Sequence, residues 1–296
     1  MVGSQGNSMK PCISVVINTL NEERNLRYAL RSVRTWADEI IVVDMHSEDR
    51  TIAIAKEYDA KTFLFERMNF CEPARAFAVS QATGDWVLLL DADEMIPQPL
   101  SVNLMQIASE DTADVVIIPW LNYLLGDPIW NTGWGPHQDF HPRFFKKDKI
   151  DNLNPRIHSG IHPVQGARVL TLPYQGKIAL HHFNYVDCAH FIEKLNRYTT
   201  IEAQQAFERG EHASMAIAAR RAAIEFINRY VRARGYRDGW RGFYLSGFMA
   251  MYRWAICAKL QELHSTGGKN KIIEKYHRTA EELIARYEGD YHHDVI

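Results

Sequence analysis

The stretch W-V-L-L-L-D-A-D-E-M, residues 86–95, runs an apolar segment directly into Asp91, Asp93 and Glu94. Like charges this close repel: at about 4 Å and an effective dielectric near 20, each pair costs roughly 4 kcal/mol. Something positive must offset that cost. Two carboxylates separated by one small residue at a strand end suit a divalent cation, Mg²⁺ or Mn²⁺, shared with the oxygens of a phosphorylated ligand. The other reading is an acidic turn that caps the helix after Pro97. A bare pair of acids does not choose between them.

The elements around the acids add context. β-rich runs at 12–18 (C-I-S-V-V-I-N), 39–44 (E-I-I-V-V-D), 61–65 (K-T-F-L-F), 86–91 and 114–119 (D-V-V-I-I-P) alternate with helical patterns at 22–33, 51–58, 73–82 and 100–108. Strands this apolar, separated by helices, predict an α/β fold with a mostly parallel, Rossmann-like sheet and helices on both faces. Ligands of such sheets bind beyond the carboxyl ends of the strands. Polar residues collect there: Thr19, Asn21 and Glu22 after the first strand, Asp44 after the second, Asp91 and Asp93 after the fourth. Residues 119–185 are rich in aromatics, His, Gly and Pro, which predicts loops and short antiparallel strands. From about Asp187 the pattern is helical again.

At 296 residues, 46% hydrophobic and 24% charged, the chain has ample material for a core. A net charge of −2 gives no whole-protein case for nucleic acid, so any basic patch is local. Cys12, Cys71, Cys188 and Cys257 match no metal-ligand spacing and are expected to be reduced thiols of a cytosolic protein. The opening M-V-G-S-Q-G-N-S is expected to be a cloning remnant ahead of a start at Met9, so residues 1–9 are set aside.

Three segments, taken in order, carry a family resemblance. I-S-V-V-I-N-T-L-N-E-E (13–23), I-I-V-V-D-M-H-S-E-D-R-T (40–51) and A-R-A-F-A-V-S-Q-A-T-G-D-W-V-L-L-L-D-A-D-E (74–94) resemble the family 2 glycosyltransferases, inverting enzymes of GT-A fold. The resemblance implies that Thr19, Asn21 and Glu22 line a nucleotide pocket and that Asp44 and Arg75 contact the base. It also implies that Asp91 lies near the ribose and that Asp93, helped by Asp91, holds the metal. Uracil suits such a pocket, since an acid and an arginine complement its N–H and C=O groups. Taken singly, Asp44 also reads as a helix cap and Arg75 as a surface residue.

Residues 122–145 (N-Y-L-L-G-D-P-I-W-N-T-G-W-G-P-H-Q-D-F-H-P-R-F-F) and 176–185 (G-K-I-A-L-H-H-F-N-Y) are similar to lipopolysaccharide-core β-1,4-glucosyltransferase-like members of that family, as are helical stretches up to residue 262. This implies a UDP-sugar donor, with glucose the expected sugar, and a lipid-anchored saccharide acceptor. An inverting transfer needs a base beside the acceptor hydroxyl, and Asp139 falls at the family's P-D-x-x-x-R acid. His182 matches the family's G-x-L-x-H position and is expected to touch metal or pyrophosphate. Arg143 either binds donor phosphate or pairs with an acid. Pro136 and Asp139 are separated here by His137 and Gln138, and Ser159 stands where relatives often carry an acid. Zinc on His158 and His162 is disfavoured by Gly160 and Pro163, which argue against the helix their spacing needs.

The carboxyl part of the chain concentrates positive charge. Between Arg220 and Arg241 there are seven arginines against Glu225 and Asp238, and the following nineteen residues, Gly242–Leu260, are mostly apolar and aromatic. Arg253 inside that run argues against a membrane span. An interfacial helix pair on anionic lipid fits, as does a buried helix packing internally.

These features predict a catalytic domain at 10–186, made of a nucleotide-binding half (10–119) and an acceptor half (120–186), and a helical region at 187–296. The expected setting is the inner face of the cytoplasmic membrane, without nucleic acid. Another cell-surface glycan or a protein is the alternative acceptor. A nucleotidyltransferase would want a Gly-rich, Lys-bearing loop after the first strand, and residues 18–25 have neither residue. An inactive sugar-binding homologue is the remaining alternative.

Overall fold

The computed structural model describes residues 10–68, 72–151 and 160–291, with side chains described to residue 287. Cys71, His158, Ser159 and residues 1–9 lie outside them. Contacts divide the chain into two units, residues 1–191 with 228–245, and residues 192–227 with 246–296.

The first unit is built on one sheet. β1 (Ile13–Thr19), β2 (Glu39–Asp44), β3 (Lys61–Leu64) and β4 (Trp86–Asp91) pair in parallel in the order β3-β2-β1-β4. Every residue of β1 is buried, because both of its faces are covered. Val15 and Ile17 join one core with α1 (Leu26–Val33), α2 (Thr51–Glu57) and, later in the chain, α4 (Gln98–Glu110); Val16 joins another with α3 (Glu72–Gln81). In α1 the buried residues are Leu26, Ala29, Leu30 and Val33, the i, i+3, i+4, i+7 stripe of a helix lying on a sheet. The helix begins four residues later than its sequence pattern. Residues 21–25 form a turn instead, with Asn21 in the left-handed region (φ 57°) and the Asn21, Glu22 and Glu23 N–H groups donating to Ser47, Thr51 and Asp49.

After β4 the sheet becomes mixed. β5 (Glu94–Met95), β6 (Val115–Leu124), β7 (Asp127–Pro128), β8 (Phe140–Lys146), β9 (Val169–Thr171) and β10 (Leu180–Tyr185) complete it. β8 runs antiparallel between β4 and β6, β10 lies parallel to β6, and β5 closes the far edge antiparallel to β10. No helix separates β6 from β8, so the chain returns antiparallel rather than crossing over. Because β8 is reversed, its amino end lies at the edge where β1, β2, β4, β6 and β10 have their carboxyl ends. That edge gathers the polar residues.

Helices follow: α5 (Cys188–Glu208), α6 (Met215–Ile227), α7 (Gly239–Thr266) and α8 (Lys269–Tyr291). In the second unit, Lys259 on α7 donates to the Asn196 carbonyl and to the Thr199 and Thr200 hydroxyls of α5 at 2.7–2.8 Å, and Arg253 pairs with Glu225 of α6 at 3.0 Å. No helix among the described residues is long and apolar enough to cross a membrane. Cys12, Cys188 and Cys257 are free thiols.

Candidate active site

The crowded acids at the end of β4 have arginines as their positive partners. Arg75, on α3, donates Nη2–H to both Asp91 oxygens at 2.8 and 2.7 Å. Arg143, on β8 and only 4% exposed, donates to Asp91 at 2.9 Å and to Glu94 at 3.0 Å, with its guanidinium 4.6 Å above the Trp120 ring. Burial works against the Asp91 charge, but Arg75 and Arg143 hold its pKa well below the ordinary carboxylate range. Glu94 is fully buried, and its second oxygen accepts the Asp91 backbone N–H at 2.7 Å, closing the turn that aims the acids. Burial of Glu94, together with the Asp91 charge beside it, outweighs Arg143 and pushes its pKa up to about 7.

Asp93 meets a histidine. Its carboxylate lies 3.5 Å from Nε2 of His182, a buried residue of β10 paired in register with Asn122 of β6. The Asn122 amide nitrogen donates to the Trp134 carbonyl at 2.9 Å and to Asp139 at 2.7 Å, which uses both of its hydrogens. Its oxygen, 2.8 Å from His182 Nδ1, must therefore accept, so Nδ1 carries the hydrogen and Nε2 faces Asp93. Burial opposes protonation of His182, yet the Asp93, Glu94 and Asp91 carboxylates raise its pKa. The other Asp139 oxygen meets His141 Nε2 at 2.8 Å. A continuous chain of polar contacts thus runs His141–Asp139–Asn122–His182–Asp93, and Trp120 packs against both imidazoles, with centroids 4.0 and 4.7 Å away.

Asp139 is placed by the loop before β8. Its N–H donates to the Gly135 carbonyl at 3.0 Å and its own carbonyl accepts from Trp120 at 2.9 Å. A Cβ at Gly135 would stand 1.9 Å from the Trp130 carbonyl oxygen, so only glycine lets the loop fold this tightly.

Thr19, Asn21, Glu22 and Asp44 meet at the ends of β1 and β2. Thr19 donates to the Asp44 carboxylate at 3.0 Å, and the Ser47 N–H and hydroxyl donate to the same carboxylate at 2.8 and 2.5 Å. Asp44 is only 1% exposed and so also fixes the 44–51 turn. The Asn21 side chain accepts from the Glu48 N–H, tying the two loops into one rim, and Glu22 accepts from Asn25 within the first of them. The structure therefore brings Asp91, Arg75, Arg143, Asp93, His182 and Asp139 together at one edge and sets Thr19, Asn21, Glu22 and Asp44 along the neighbouring strand ends. Asn122 and His141 are polar members that sequence reasoning did not assign. The available signal for Asn122 was a lone carboxamide within the apolar run of β6.

Among the described residues no cluster of three or more His, Cys, Asp or Glu has metal-holding geometry. A Mg²⁺ or Mn²⁺ ion shared with a diphosphate does not need one, because such ions take one or two carboxylates and complete their shell with phosphate and water oxygens. Asp93 fits that donor set, and His182, oriented through Asn122, would add its Nε2 lone pair once the ion displaces the proton there.

Residues 14–169 match the family model described as Glycosyl transferase family 2. An uncharacterized glycosyltransferase of Rickettsia typhi is 29% identical over 261 residues, spanning 85% of this chain and 87% of the relative. A lipopolysaccharide core biosynthesis glycosyltransferase of Rhizobium meliloti, LpsC, is 28% identical over 276 residues, spanning 88% of this chain and 96% of the relative. Among solved structures, glucosyl-3-phosphoglycerate synthase of Mycobacterium tuberculosis aligns at a TM-score of 0.44 and 16% identity over 69% of this chain and 82% of that one.

Proposed function

The chain belongs to glycosyl transferase family 2, and from that premise we propose that it moves glucose from UDP-glucose, with inversion, to a lipid-anchored saccharide of the lipopolysaccharide-core kind. The fold is the GT-A arrangement expected of the family. The observation that carries the reading is the convergence of a cation-suited pair, Asp93 and His182, and a carboxylate, Asp139, on one sheet edge, joined through Asn122. The lipopolysaccharide core assignment of the Rhizobium relative supports the acceptor class.

The chemistry follows from these positions. The acceptor hydroxyl gives its proton to Asp139 as its oxygen bonds the anomeric carbon, and the bond from that carbon to the diphosphate breaks on the opposite face. Each Asp139 oxygen accepts one hydrogen bond from the protein and keeps a second acceptor site, so the base is held and still available. Asp93 and His182 would hold the divalent ion, which when bound offsets the charge of the departing diphosphate. Asp91, held ionised by Arg75 and Arg143, offers acceptors to the ribose, while Thr19, Asn21, Glu22 and Asp44 border the base.

Two variants separate the roles. Asp93→Ala is expected to abolish the Mn²⁺-dependent part of UDP binding in calorimetry and to lower UDP-glucose turnover by about a hundredfold or more. Asp139→Asn is expected to leave UDP affinity within about twofold and to remove transfer by a similar factor. Unchanged turnover in Asp93→Ala would sink the metal and donor reading.

A further inference from the structure

Residues 228–245 leave the sequence of the second unit and return to the first. Here a π-helical turn (Asn228–Arg232), a 3₁₀ turn (Gly235–Asp238) and the start of α7 bring five aromatic residues into one chain of ring contacts. Tyr230 lies 6.4 Å from Tyr236 and 5.6 Å from Phe243; Phe243 lies 5.7 Å from Tyr244, and Tyr244 6.2 Å from Trp240. Tyr236, Trp240, Phe243 and Tyr244 are each about half exposed, as is Val231. A contiguous apolar patch of this kind on a folded surface marks an interaction site.

The charge of the segment is mostly positive. The segment carries five arginines, at 229, 232, 234, 237 and 241, and a single acid, Asp238. Asp238 is turned inward, where it accepts from the Trp130 and Asn131 N–H groups at 3.3 and 2.9 Å. Arg232, Arg234 and Arg237 are exposed. Amphipathic rings at half depth beside arginines suit the headgroup level of an anionic bilayer, which attracts basic side chains.

The same segment supports the loop that ends in Asp139. The Arg229 guanidinium donates to the Thr132 carbonyl at 2.9 Å and stacks over Trp134, whose carbonyl holds Asn122. The Thr132 N–H donates to the Ala233 carbonyl at 3.1 Å, and Arg241 bonds the Leu125 carbonyl and pairs with Asp127. A Cβ at Gly235 would lie 2.8 Å from the Thr132 methyl, so segment and loop touch closely.

We propose that residues 228–245 dock on an anionic lipid bilayer and that docking holds the acceptor loop, residues 125–139, in its working position. The inference rests on the lipid-anchored acceptor for its purpose, but its test does not need that acceptor. The intact chain is sedimented with vesicles of phosphatidylcholine alone or mixed with phosphatidylglycerol. It should bind the mixed vesicles, lose binding as NaCl is raised, and bind at least about tenfold more weakly as Arg232→Glu/Arg237→Glu, with an unchanged melting temperature. Trp240→Ser/Tyr244→Ser should weaken binding as well. On mixed vesicles the amides of residues 130–139 should exchange more slowly.

Equal binding to both vesicles by wild type and the arginine variant would overturn the docking surface. Unchanged exchange at residues 130–139 would overturn its coupling to the loop. Self-association that Trp240→Ser/Tyr244→Ser abolishes, without vesicle binding, would replace the bilayer by a second copy of the chain. Vesicle binding without UDP-glucose turnover would sink the donor reading and leave this one standing; turnover without vesicle binding would do the reverse.

Discussion

Asn122 has a carboxamide whose three hydrogen bonds reach both halves of the site. Its two N–H groups go to Asp139 and the Trp134 carbonyl, and its oxygen fixes the His182 tautomer that leaves Nε2 toward Asp93. Asn122→Asp reverses the polarity of that junction by putting an acceptor against Asp139, so both the proposed base and the imidazole lose their orientation. Transfer is expected to fall about ten- to a hundredfold with weaker Mn²⁺ binding, the size seen when an orienting partner of a metal ligand is removed. UDP affinity without metal should hold within about twofold. Kinetics paired with calorimetry checks this, and an Asn122→Asp enzyme with wild-type Mn²⁺ affinity would remove the residue from the mechanism. The acids of D-A-D-E stood out in the sequence because charge ends an apolar run there, whereas Asp139, Arg143 and His182 were singled out only through the family resemblance. Arg75 clamping Asp91 was not, since a contact between α3 and β4 depends on how the helix lies over the sheet. Nor was the His182–Asn122 bond, which follows from a register sixty residues apart in sequence.

At the scale of elements, the parallel half was readable because its strands are buried on both faces and therefore continuously apolar. The half beyond β5 was less so. Its strands carry Pro, His and Asn among aromatics, and nothing in Phe140–Lys146 announces that it inserts between β4 and β6. That insertion sets Arg143 beside Asp91 and starts β8 next to Asp139, so much of the candidate site depends on a long-range pairing. The opposite end of the sheet is held by Glu39, 8% exposed at the start of β2, which accepts from Lys61 at 2.6 Å, Ser14 at 2.5 Å and the Thr83 N–H at 2.9 Å. Burial raises its pKa, but those donors outweigh it and bring the value down from 4.5 to about 2. A depressed carboxylate contributes stability that is complete above the unfolded value and lost as pH falls through the folded one. Urea denaturation should therefore show wild type losing stability between pH 4.5 and about 2. Glu39→Gln should be less stable at pH 7 by about 1–3 kcal/mol and show a flatter acid limb. An identical acid limb in the variant would assign the loss to other carboxylates.

Across the whole molecule, the sheet-bearing unit is discontinuous: the chain leaves it at Phe191 and re-enters at Asn228. Residues 14–169 carry the family match, yet the loop that ends in Asp139 is braced from residues 229–241. A sequence reading that ends the catalytic domain near residue 186 has no means of finding that return, since the bonds involved are about a hundred residues apart. A chain cut after Phe191 should keep β1 to β4 and bind UDP, but it strips the partners from Asn131 and Thr132 and uncovers Trp134. Each buried group left without its partner costs about 1–3 kcal/mol. With roughly 2–4 °C per kcal/mol at this size, the melting temperature should fall by about 10 °C and transfer should be lost. Asp238→Ala in the intact chain isolates one brace, removing the acceptor for Trp130 and Asn131 while leaving every helix in place. It should lower the melting temperature by about 2–8 °C, speed amide exchange in residues 130–139, and reduce transfer more than UDP binding. If the shortened chain melts with the intact one and transfers at its rate, residues 228–245 are an appendage, and the acceptor loop stands without them.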